Sequence, residues 1–111
     1  SLVALGPPGG AGGAAAVVDL STVYILGEVQ RPGRYDYKAE TPITVLQALA
    51  LAGGPGVFAA RSRIQVREPG DSGDTVHTFD YAAIENGRSA EAPPIVQNGA
   101  VIVVPEKGLF E

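Results

Sequence analysis

Residues 22–37 read TVYILGEVQRPGRYDY, and this stretch decides how the chain begins to fold. Its first half, residues 22–29, is rich in β-branched and aromatic residues, which favours a β-strand. Pro32-Gly33 predicts a tight turn, and residues 34–37 then return as a second strand. Alternation in the first strand gives two faces, with Val23, Ile25, Gly27 and Val29 on one and Tyr24, Leu26 and Glu28 on the other. The stretch therefore predicts a β-hairpin.

The next segment, residues 44–54, reads TVLQALALAGG and predicts the main helix. Thr44 and Gln47 have the spacing of a capping box, in which each side chain accepts from the other residue's backbone N–H. The helix is expected over about residues 45–52, and Gly53 and Gly54 end it. Its buried stripe is predicted to consist of Val45, Leu46, Leu49 and Ala52.

The remaining elements complete a mixed sheet. Residues 63–67 and 75–79 alternate polar and apolar side chains, so they predict two half-buried strands. A short helix is expected over about residues 80–86, with Asp80 as its N-cap. Residues 100–104, AVIVV, lack alternation, which predicts a central strand covered on both faces. The order indicates an α+β fold, a β-grasp roll with about five strands, one main helix and one short helix.

Composition and charge exclude several classes of function. The chain has no cysteine, which excludes disulfides, thiolate metal sites and cysteine nucleophiles. Its net charge of −4 disfavours a phosphate backbone, so no nucleic-acid partner is expected. The only histidine, His77, is interpreted as a surface strand residue, and Asp71 and Asp74 as part of a solvated turn. We therefore expect no catalytic site, no metal and no cofactor, and no enzyme activity.

The N-terminal part differs from the rest in composition. Residues 6–16 read GPPGGAGGAAA, and glycine this dense is costly to order. We expect a Gly/Ala-rich linker or loop over residues 1–21, one domain over residues 22–107 and a tail over residues 108–111. The alternative is a strand at residues 2–5 followed by a dinucleotide-binding turn at Gly10, Gly12 and Ala15, but the chain has no room for the long helix that this motif requires.

Aromatic residues on the predicted hairpin suggest a binding site. Sugar rings stack on aromatic faces while their hydroxyls need polar partners. Tyr35 and Tyr37 are predicted to share one side of the hairpin, and with Arg34 they form the predicted ligand-binding site. The alternative is that each tyrosine ring packs beneath the helix as part of the core.

Four segments of the chain, taken together and in order, resemble the soluble-ligand-binding β-grasp (SLBB) domain. They are the hairpin stretch with Gly27, Pro32, Gly33 and Tyr35; the helix segment with Gly53 and Gly54; residues 60–81 with Ile64, Val66 and Phe79-Asp80-Tyr81; and the closing stretch Gln97 to Pro105 with Gly99. The family often has Pro-Gly-Asp where this chain has Asn98-Gly99-Ala100, so any contact made by that acid is absent here.

The resemblance implies a function beyond what composition gives. Such domains occur in bacterial outer-membrane polysaccharide export proteins, where they form rings in the periplasm. The implied role is a non-catalytic, periplasmic module for capsule or exopolysaccharide export, which either builds the ring or contacts the polysaccharide. The implied partners are other copies of the parent chain and an inner-membrane polysaccharide copolymerase. The same domain also occurs in respiratory-complex subunits and DNA-uptake proteins, which is the alternative setting.

Overall fold

The computed structural model describes residues 2–4, 17–88 and 92–108. In this part of the chain six strands and two helices follow one another. They are β1 (Leu2–Ala4), β2 (Val17–Gly27), β3 (Gly33–Lys38), α1 (Val45–Leu51), β4 (Ile64–Glu68), β5 (Thr75–Phe79), α2 (Tyr81–Glu85) and β6 (Ala100–Val104).

The first hairpin is confirmed, with two differences in its bounds. β2 and β3 pair antiparallel from Leu20↔Lys38 to Ile25↔Gly33. However, β2 begins at Val17, five residues before the predicted start. The predicted tight turn at Pro32-Gly33 is wrong, because Gly33 already belongs to β3 and the chain turns through residues 28–32. This longer connection forms because its backbone bonds to the loop that follows α1.

The sheet has the mixed topology of a β-grasp. β6 pairs parallel with β2, from Val23↔Ala100 to Gly27↔Val104, and antiparallel with β4. β4 in turn pairs antiparallel with β5. Since β3 and β6 both pair with Val23, they lie on opposite edges of β2. The last strand is therefore central, as the sequence predicts, and the α+β fold class is confirmed.

The N-terminal segment is partly built into this sheet. Leu2–Ala4 pairs antiparallel with the start of β2, through Leu2↔Asp19 and Ala4↔Val17. The strand alternative for the first residues thus agrees with the structure, while residues 17–21 belong to β2 rather than to a linker. The Gly/Ala-rich stretch at residues 5–16, which includes the considered dinucleotide turn, lies outside the described residues, as does most of the predicted tail.

Helix α1 begins and ends with the predicted capping groups. The Gln47 backbone N–H donates to Thr44 Oγ1 at 3.1 Å, and the Thr44 N–H donates to Gln47 Oε1 at 2.9 Å. At the other end Gly53 has a φ of +84°, and the Gly54 N–H donates to the Leu49 carbonyl at 2.8 Å. This is a Schellman motif, which satisfies carbonyls that the helix leaves free.

One face of the sheet packs against α1 and forms the core. The largest fully buried side chains are Ile25, Leu49, Ile64, Ile102, Val23, Val45 and Val104. Two predictions need correction. In α1, Ala48 is buried and Leu46 only half-buried. In β6, Ala100, Ile102 and Val104 are buried but Val101 and Val103 are half-buried, because only one face of the strand lies against the helix.

Helix α2 forms where the sequence predicts it. The Asp80 carboxylate accepts from the Ala83 N–H at 2.9 Å, which caps the first turn. Tyr81 and Ile84 pack against the core cluster from this helix. The β4–β5 hairpin register sends Val76 to the solvent side, where it is 49% exposed.

A backbone junction joins the first hairpin, α1 and β6. The Gln30 N–H donates to the Gly54 carbonyl at 3.3 Å, and the Arg31 N–H to the Ala52 carbonyl at 2.8 Å. At the end of β2, Gly27 has a φ of +94°, and a Cβ added there would lie 2.2 Å from the Val104 carbonyl oxygen. A Cβ on Gly53 would meet Gln30 Cβ at 2.7 Å. Glycine at these positions allows the three segments to approach closely.

The junction predicts unequal costs for two similar substitutions. Gly27→Ala should lower the free energy of unfolding by at least about 3 kcal/mol, because positive φ and overlap with the Val104 backbone act together. Gly54→Ala has a similar φ of +84° but no atom within 4 Å of the added Cβ, so it should cost only about 1–2 kcal/mol. Urea unfolding of both variants measures the difference, and equal losses would contradict the close approach at Gly27.

Candidate functional site

The face of the sheet opposite α1, called here the open face, brings together side chains from every strand of the β-grasp sheet. Cross-strand register sets its central row, because paired residues point to the same face. The row runs Arg34, Tyr24, Val101, Arg67 and Val76. A second row runs Leu26, Val103, Gln65 and Thr78.

Tyr24 is the aromatic residue at the centre of this surface. Its side chain is 39% exposed, and its cross-strand partners are Arg34 on one side and Val101 on the other. Leu26 lies two residues further along the same strand and is 45% exposed. The open face therefore has an aromatic and aliphatic centre that solvent reaches.

A polar cluster borders Tyr24 on the side of β3. The Thr22 hydroxyl donates to Asp36 Oδ1 at 2.9 Å, and Arg34 Nε donates to the same oxygen at 3.3 Å. The Thr22 hydrogen bond, with a smaller effect of the Arg34 charge, lowers the pKa of the Asp36 carboxyl below its ordinary value of 3.8. Asp36 therefore holds the Arg34 guanidinium along the strand.

Arg67 borders the centre on the side of β4. Its side chain is exposed, and its Nη2 lies 3.4 Å from Gln65 Oε1, at the limit of hydrogen-bonding distance. Residues 63–67 alternate polar and apolar side chains, which predicts that Ile64 and Val66 point inward. The outward position of Arg67 therefore follows from the sequence. Its position in line with Tyr24 and Arg34 could not be found without the strand order.

The structure separates the three residues predicted to bind a ligand. Arg34 lies on the open face, whereas Tyr35 and Tyr37 point to the core face and pack against the core cluster. The Tyr35 hydroxyl donates to the Arg31 carbonyl, and the Tyr37 hydroxyl to the Val96 carbonyl at 3.1 Å. Burial raises the pKa of the Tyr37 hydroxyl. Both tyrosines thus use their polar ends to tie backbone segments together.

The glycines and proline predicted as structural motif residues lie at turns and close contacts. Gly27, Gly53 and Gly54 form the junction, and Pro32 precedes β3, which Gly33 begins. Gly99 comes directly before β6, and its N–H donates to the Thr22 carbonyl at 2.8 Å.

A separate cleft of about 440 Å³ lies between β5, α2 and residues 92–94. It contains His77, whose Nε2 lies 3.2 Å from Glu68 Oε1, over an apolar floor that includes Phe79 and Ile84. The His77 side chain is 54% exposed, in keeping with the expected surface position. Across the part of the chain that the structure covers, no three acidic or histidine side chains are grouped to hold a metal ion.

The Asp36 cluster predicts a measurable titration. Because the pKa of Asp36 is lower in the folded state than in the unfolded state, where it is near 3.8, its carboxylate stabilises the fold at pH values above 3.8. This stabilisation is lost as the pH falls through the folded-state pKa. Thr22→Val removes the hydroxyl that donates to Asp36, so the pKa should rise toward 3.8. The carboxyl carbon shift of Asp36, followed by NMR against pH, tests this. Thr78→Val, on the same face but outside the cluster, should leave the titration unchanged.

The Tyr37 hydroxyl predicts a loss of stability on removal. Tyr37→Phe should lower the free energy of unfolding by about 1 kcal/mol, since the Val96 carbonyl loses its donor. Tyr24→Phe removes an exposed hydroxyl on the open face and should change stability by much less. Chemical unfolding of both variants gives the comparison, and equal stabilities would contradict a structural role for Tyr37.

Neither α1 nor α2, the helices of the described residues, has the length or apolar character needed to span a bilayer. A search of curated protein sequences finds no match to this chain. The sequence model of the SLBB domain matches residues 22–80, more than half of the 111 residues. The matched segment covers β2 from residue 22 onward, β3, α1 and the β4–β5 hairpin, and it includes every residue of the junction except Val104. The chain belongs to the SLBB domain family.

Proposed function

We propose that this domain is a non-catalytic module that contacts a saccharide through its open face. The observation that carries the proposal is the solvent-accessible Tyr24 ring, set between Arg34 and Val101 by the strand register. Membership of a family of soluble-ligand-binding domains supports it.

The chemistry of the open face suits a sugar chain. The ring of Tyr24 offers an apolar face for the CH groups of a sugar, and Leu26, Val101 and Val103 extend this strip. Around it, Arg34, Gln65 and Arg67 offer hydrogen-bond donors for hydroxyl or carboxylate oxygens. The contacts are spread across the outward side of paired strands, which favours a polymer that lies across the strands over a small molecule enclosed in a pocket.

Within this proposal the three residues of the predicted site have different roles. Arg34 is a direct contact, because its exposed guanidinium lies beside Tyr24. Tyr35 and Tyr37 act indirectly, since their hydroxyls donate to the backbone carbonyls of Arg31 and Val96 and so fix the position of β3.

The parent protein that we propose is a capsule or exopolysaccharide export protein. In that setting the domain is part of the periplasmic portion of an outer-membrane-associated chain. Its partners are the exported polysaccharide, other copies of the parent and an inner-membrane polysaccharide copolymerase. Family membership supports this setting, and the respiratory-complex and DNA-uptake settings are the alternatives.

A second candidate function is ring assembly. Among the strands that the structure describes, β3 pairs only with β2 and β5 only with β4, so each has one unpaired edge. Unpaired edges are templates for pairing with another chain. In the full-length parent, contacts at these edges would join neighbouring copies, while the isolated domain is expected to be monomeric or weakly associated.

NMR titration of the domain with short neutral and acidic oligosaccharides tests saccharide contact. We expect saturable shifts centred on Tyr24, Leu26 and Val101. Tyr24→Ala should weaken binding about fivefold, the loss of about 1 kcal/mol of aromatic contact. The control is His77→Ala, which removes an exposed ring from the other face of the sheet, where His77 pairs with Val66, and should bind as the unmodified domain does. No shifts with any sugar at millimolar concentration would contradict the proposal and favour ring assembly.

A further inference from the structure

We propose that the saccharide bound by the open face is anionic, with carboxylate groups that pair with arginine. This inference rests on the saccharide-contacting function proposed above and specifies its ligand class. It is carried by the distribution of charge between the faces of the sheet.

The open face is cationic although the chain is acidic. The whole sequence has 8 lysine and arginine residues against 12 aspartate and glutamate residues, a net charge of −4. Within strands β2–β6, the charged side chains of the open face are Arg34, Lys38, Arg67 and Asp36. Three cations and one anion give the outward strand positions of this face a net charge of +2. The excess of negative charge therefore lies elsewhere on the molecule.

The single carboxylate of the open face is paired with Arg34. Asp36 accepts hydrogen bonds from Thr22 and Arg34 through one oxygen, Oδ1, and its pKa is lowered by them. Arg34 is still 55% exposed, so its remaining donors face solvent. The Asp36 charge is partly offset by its ion pair with Arg34, and an anionic ligand finds guanidinium groups that can bind a carboxylate with two parallel hydrogen bonds.

The spacing of the cations fits a chain that lies across the strands. Arg34 and Arg67 are separated by two intervening strands, through the register Arg34↔Tyr24↔Val101↔Arg67. Three strand spacings place their Cα atoms about 14 Å apart. Tyr24 and Val101 lie between them, so one extended ligand can contact the aromatic ring at its middle and a guanidinium at each side.

The aromatic and apolar centre favours an acidic sugar over an acidic peptide or a nucleic acid. An acidic peptide would pair with the arginines but has no CH-rich sugar ring that could stack on Tyr24. In a nucleic acid the ring that could stack on Tyr24 is the base, and the negative charge lies on a phosphate that the sugar separates from that ring. A carboxylated sugar provides both the ring face and the charge.

The test compares oligogalacturonates with their neutral methyl esters by NMR titration at low salt. The free acids should bind at least about fivefold more tightly than the esters, and the preference should shrink as added salt screens the charges. Arg34→Gln and Arg67→Gln should each weaken binding of the free acid about threefold to fivefold. Arg88→Gln removes the same charge from an exposed position after α2 and should leave binding unchanged.

The outcomes separate this inference from the function on which it rests. Equal binding of acid and ester at Tyr24 would overturn the anionic preference and leave saccharide contact standing. No binding of either would overturn both. Binding of polyglutamate or a short oligonucleotide at the same residues, tighter than the oligogalacturonate, would show that the open face takes another class of anion and would also overturn the inference.

Discussion

The close approach of Gly27 to the Val104 carbonyl is the contact on which the architecture depends. At this point the first strand of the β-grasp ends beside the last one, and residues 28–31 turn away to bond with the loop after α1. A side chain at Gly27 would force β2 and β6 apart. Residues 28–31, which bond to the backbone of Ala52 and Gly54, would then lose their position. The glycines at the end of β2 and at the end of α1 therefore serve one junction rather than two separate turns.

From this junction the two faces of the sheet follow with opposite characters. Side chains that alternate inward from β2, β4 and β6 meet α1 and are almost fully buried. Those that alternate outward form a surface with an accessible ring at its centre and guanidinium groups at its sides. Within residues 17–88 and 92–108, α1 packs on the core face, while Tyr24 and Leu26 on the open face are exposed to solvent.

Local signals in the sequence predicted most of the fold. Thr44 and Gln47 cap α1 as expected, Asp80 caps α2, and residues 100–104 form the central strand, because each signal depends on neighbours in the sequence. The turn through residues 28–32 and the start of β2 at Val17 could not be predicted, since both depend on partners distant in sequence.

The same holds for the candidate site. Alternation shows that Arg34 and Tyr35 point to opposite faces, but only the strand order shows that Arg34, Tyr24 and Arg67 lie in one row. Aromatic residues close in sequence suggested a site at Tyr35 and Tyr37, although their hydroxyls are engaged by Arg31 and Val96.

The parallel pairing of β2 with β6 has a mechanical consequence. These strands are the first and the last of the β-grasp sheet, and they run side by side through five paired positions. Tension applied to the chain at its two ends would pull the strands in opposite directions along their axes. The hydrogen bonds between them would then be loaded together in shear instead of opening one after another. This geometry resists extension far more than the short β6 alone suggests, and it makes the domain a stiff link between the segments that join it at β2 and at β6.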